Sequence, residues 1–84
     1  MKRTAAEPVS ILRWIFQNNR QVLTCAVRAE NGGASFDVTV VPHWDVSATS
    51  IETFEKESGA FARHAEIAMR LRDAGWVVSH RLAA

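Results

Sequence analysis

Alternation is what most constrains this chain. Three runs, residues 11–17, 21–30 and 34–41, are rich in β-branched and aromatic side chains, and Asn18-Asn19-Arg20 and Asn31-Gly32-Gly33 separate them. Every second residue in each run is apolar: Leu12, Trp14 and Phe16, then Leu23, Cys25, Val27 and Ala29, then Phe36, Val38 and Val40. For these sets to share one core face, the numbers of directly opposed residues must add to an odd number, because runs one and three contribute even positions and run two odd ones. A two-residue loop at Asn18-Asn19 or Asn31-Gly32 satisfies this; a plain three-residue loop turns one strand inside out. The expectation is a three-strand antiparallel meander.

The pattern then changes period. Pro42 removes a ladder donor, and His43-Trp44-Asp45-Val46 forms a connector. Thr49 followed by Glu52 reads as a capping box, which predicts one long amphipathic helix from near Ser50 to Ala74. Phe54, Phe61, Ala65, Ala68 and Leu71 fall on its apolar side, Arg70 and Arg72 in its last turn, and Gly75 at its left-handed stop. Gly59 lies on the polar side, where packing does not explain it, and predicts a bend or a start delayed to Ser58. Residues 76–82 alternate again as a short final strand. The fold class is therefore α+β, in the order βββαβ, with residues 1–10 a flexible N-terminal arm and 11–84 a single domain. A right-handed crossover puts the last strand parallel to the first and beside it; a place outside strand three is the alternative.

Charge and cysteine content narrow the function classes. Ten Lys and Arg against nine Asp and Glu leave a net charge of +1, without the cationic excess that draws proteins to polyanions. One cysteine makes no internal disulfide, and no Cys/His metal spacing is present. The basic Met1-Lys2-Arg3 is followed by Glu7 and Pro8 rather than an apolar run, so the expectation is a cytoplasmic protein.

Each constellation that carries chemistry has a plainer reading. Cys25 is a candidate nucleophile, and His43 and Asp45 are candidates for a metal or acid–base site, yet the parity of Cys25 puts it in the core, where a thiol is inert. His64 falls at the edge of the helix's apolar side, and His80 shares parity with Trp76, Val78 and Leu82, facing the core or its rim. No cofactor and no metal are expected. The sheet face turned away from the helix carries Ile11, Arg13, Ile15, Thr24, Ala26, Arg28, Asp37, Thr39 and Val41. In one permitted register Arg28 and Asp37 pair across strands. The candidate interface is Ile11, Arg13, Ile15, Arg28 and Val41, with Phe54 at an overhanging helix end. A helix longer than the sheet leaves apolar turns that a second copy would cover. The expected function is thus a small non-enzymatic protein-interaction or oligomerisation module, a homodimer or a binder of another protein. A nucleic-acid-binding regulator using Arg13, Arg28 and Arg81 is the alternative, and a small enzyme around Cys25, His43 and Asp45 a distant one.

With its last strand parallel to the first, this order of elements resembles the opening half of the ribonuclease-H-like fold and the shortened version of it in some antitoxin proteins. The resemblance is one of topology over about 70 residues. It implies a nuclease only where carboxylates cluster to hold two metal ions, and the first strand offers Arg13 and Gln17 instead.

Overall fold

The computed structural model describes residues 9–83. Residues 1–8 of the expected arm lie outside these, whereas Val9 and Ser10 already belong to a strand. The elements are β1 (Val9–Asn18), β2 (Gln21–Glu30), β3 (Ser35–Pro42), β4 (Ser50–Phe54), α1 (Glu57–Asp73) and β5 (Val77–Ala83). They make one sheet of order β4-β3-β2-β1-β5, antiparallel throughout, with α1 on one face.

The parity argument holds through the meander. Trp14 stands opposite Cys25, and Cys25 opposite Val40, so the three apolar sets share the helix side. Both loops have an even number of residues, although neither is the one expected. Asn18 pairs with Gln21 across Asn19-Arg20, and Glu30 pairs with Ser35 across residues 31–34. Asn19 (φ 56°), Asn31 (φ 53°) and Gly32 (φ 68°) supply the left-handed conformations these reversals need.

The expected helix start is overturned. Ser50–Phe54 is a fifth strand, with Phe54 opposite Phe36 and Ile51 opposite Thr39. Thr49 does not cap α1, since its hydroxyl donates to the Val46 carbonyl at 2.6 Å, and Glu52 accepts from Arg63 at 2.7 Å. The helix is therefore 17 residues, about 26 Å long, and the overhang expected of a longer one disappears. The added strand also reverses the chain. The final strand takes the expected place beside β1 but runs antiparallel to it, so the likeness to the ribonuclease-H-like fold does not extend to strand direction. Gly59 has a packing reason after all, because a Cβ there would lie 3.3 Å from the Phe54 ring. Gly75 (φ 100°) does end the helix, with its N–H donating to Arg72 and that of Trp76 to Leu71.

Two irregularities shift faces. The register slips between Ser10 and Leu12, and Ile11 packs against the core rather than on the open face. A second slip sets Ile15 opposite His80 but Phe16 opposite Val78, with the Ser79 hydroxyl donating to the Ile15 carbonyl at 3.2 Å. Val78 keeps its expected core side. His80 and Leu82 move to the open face and Arg81 to the helix side, the reverse of what uninterrupted alternation requires.

Phe16, Leu23, Cys25, Val27, Val38, Ala60 and Ala68 form the core. His64 joins them at 2% exposure, deeper than its wheel position suggested.

Candidate functional site

Neither face of the sheet is fully covered. A single helix is narrow against five strands, and α1 rests on β2, β3 and β4. That leaves two surfaces: the whole open face, and the helix side of β1 and β5.

On the open face, Ala26 and Thr39 are only 4% and 5% exposed although α1 lies on the other side. They are short side chains sunk among longer neighbours. Across the sheet from them run Ile51 and Leu82 in one row, then Val41, Thr24, Ile15 and His80 in the next. Ile51, Leu82 and Val77 are exposed apolar groups. Of the candidate residues, Arg13, Ile15, Arg28 and Val41 are brought together here. Phe54 is not, because its place opposite Phe36 turns it to the helix side, and Ile11 has left through its bulge.

The charges on this face are largely spent within it. Arg28 lies 3.5 Å from Glu30 and 3.7 Å from Asp37, which in turn accepts from the Thr53 hydroxyl at 2.8 Å. Desolvation raises the Glu30 carboxyl above the usual range, and so do its hydrogen bond to Asp37 and the charge on it; Arg28 opposes them.

The catalytic constellation does not converge. Cys25 points into the core, while His43 reaches the opposite face, its Nε2 2.7 Å from the hydroxyl of the adjacent Thr24. Asp45 accepts from Ser47 at 2.5 Å. Among the described residues no group of three His, Cys, Asp or Glu side chains could hold a metal ion. Burial pushes the Cys25 thiol up to about 12, outweighing the charge of Arg63. We expect Cys25 to resist a bulky thiol reagent in the native protein and to react only on unfolding; rapid native modification would contradict its place in the core.

The second surface was not foreseen. Where α1 stops short of β1, a hollow of about 650 Å3 opens, lined by Trp14, Ala65, Ala68, Met69, Arg72 and Asp73. Arg81 sits over the Trp14 ring, 4.8 Å from its centroid, and His64 meets that ring edge-on at 5.1 Å. The two flanks of α1 differ in character. Toward β4, Arg63 bridges Glu52 and Glu66, with Arg70 3.9 Å from Glu66. Toward β1, the wheel places Ser58, Ala62, Ala65 and Met69, and charge returns only at Arg72 and Asp73. This asymmetry is present in the sequence, but reading it requires knowing that the helix spans only part of the sheet.

Protein-family models, characterised proteins and solved structures contain no match to this chain. No described helix is long and apolar enough to cross a membrane.

Proposed function

We propose that this chain is a non-enzymatic self-association module that works as a homodimer. One observation carries the reading: a single helix over part of a five-strand sheet leaves apolar side chains on both faces without a covering layer. A chain of 84 residues buries a modest share of its surface alone, and a second copy is an economical source of further burial. The nucleic-acid reading has less to stand on. Of its three arginines, Arg28 is engaged by Glu30 and Asp37, Arg81 lies on the helix side, and Arg13 remains. Among the described strand residues, none on the open face is a Trp or Phe on which a base would stack.

Sedimentation equilibrium tests the proposal. The expected mass is twice the 9.3 kDa of one chain at micromolar concentration. A monomer persisting at several hundred micromolar would overturn it.

A further inference from the structure

We infer that the dimer is built on the helix side: the uncharged flank of α1 in one copy fills the Trp14 hollow of the other, giving layers of sheet, two helices, sheet. This rests on the self-association reading above and names its surface and its occupant, a second copy of this chain.

Spacing is the first argument. Strands lie about 4.8 Å apart, so β1 is two strand spacings, about 10 Å, from β3, the middle one of the three strands on which α1 rests. Packed helices stand about 8–10 Å apart. The uncovered part of the sheet is thus one helix wide, at the distance where a neighbouring helix belongs. A two-fold axis running along the helices, between them, turns the second sheet over and lays its helix over β1 and β5 of the first.

Side-chain chemistry is the second. With the axis along the helices, each residue near it faces its own copy. Ala65 permits close approach, and Met69, 60% exposed in the single chain, enters the partner's hollow over Trp14. The hollow and the Trp14 ring beneath it carry Arg72, Asp73 and Arg81, so both signs of charge are present on the surface that meets its copy. A flank carrying a single sign of charge would repel its copy. A stable interface needs about 800 Å2 from each partner, about a seventh of the 5663 Å2 exposed by the described residues.

The experiment compares the full chain with Met69→Glu and Ile15→Glu in sedimentation, each beside a circular dichroism melt. Two cysteine variants, Ala65→Cys and Ile15→Cys, are oxidised with diamide; Cys25 is buried and stays silent. The expected result is that Met69→Glu weakens the dimer at least about tenfold while its circular dichroism spectrum and cooperative melt show a folded chain, and that Ala65→Cys forms the disulfide-linked dimer while Ile15→Cys does not. A wild-type monomer would overturn the self-association reading itself. A dimer that survives Met69→Glu, or that cross-links through Ile15→Cys instead, would leave that reading standing and overturn the helix-side interface.

Discussion

Phe16→Ala is expected to destabilise the protein by about 3–5 kcal/mol, the range for truncating a buried phenylalanine. Phe16 is 0% exposed, stands opposite Leu23 on one side and Val78 on the other, and is the largest fully buried side chain. It therefore joins the meander to the last strand through packing as well as through the ladder. Removing the ring takes away its transfer free energy and leaves a cavity that a sheet hydrogen-bonded on both sides of β1 relaxes poorly to fill. Domains of this kind are stable by only about 5–15 kcal/mol, so the variant should unfold at much lower urea concentration. Ile51→Ala, on the exposed edge strand, serves as the control and should change stability by less than about 1 kcal/mol. A loss of similar size at both positions would show that the core does not centre on Phe16.

Acid should destabilise the fold through His64. Burial lowers its pKa from 6.5, and the hydrogen bond between its Nε2 and the Cys25 carbonyl at 3.3 Å only partly opposes this. Below pH 6.5 the unfolded chain takes up a proton that the folded one refuses, so stability falls as the pH is lowered from 6.5 toward the folded-state value. Above pH 6.5 the effect vanishes. A single group of this kind contributes at most about 1.4 kcal/mol per pH unit. Glu30 acts in the opposite sense, since a carboxyl raised above 4.5 in the fold makes the folded state the better proton binder just above that pH. The measurement is urea stability against pH for the wild type and for His64→Gln, which keeps a donor and cannot titrate. The difference between the two curves isolates His64, and parallel curves would refute the assignment.

The meander and its facing were legible in the sequence because parity is a global constraint. Once Trp14, Cys25 and Val40 must share a side, loops of even length are required whatever their detail. What alternation does not announce is a bulge. Ile11 and Ser79 each add one residue to a strand with no change in composition, and every side chain beyond the slip changes face. That is why uninterrupted alternation puts Ile11, His80, Arg81 and Leu82 on the wrong side. The missed strand has a different cause. Ser50–Phe54 is short, and its β-branched Ile51 and Thr53 were outweighed by the capping pattern of Thr49 and Glu52, which in the fold serve a loop carbonyl and a helix arginine. The direction of β5 followed that error, because one added strand inverts every element after it. The hollow beside Trp14 depends on where α1 lies across the sheet, a tertiary placement that no local pattern carries.

The pairing of β1 with β5 governs how this protein reaches its fold. The hairpins from β1 to β4 close over short loops and form between near neighbours in the chain, a fast process. Leu12 meets Ala83 and Gln17 meets Val77, contacts spanning most of the sequence, whose loop-closure entropy is met before any bond rewards it. The last strand should therefore dock late and release early. Native-state hydrogen exchange would find its amides among the first to open. During synthesis β1 waits with an unpaired edge until Val77–Ala83 has been made, and that interval is when the chain is most open to pairing with the wrong strand.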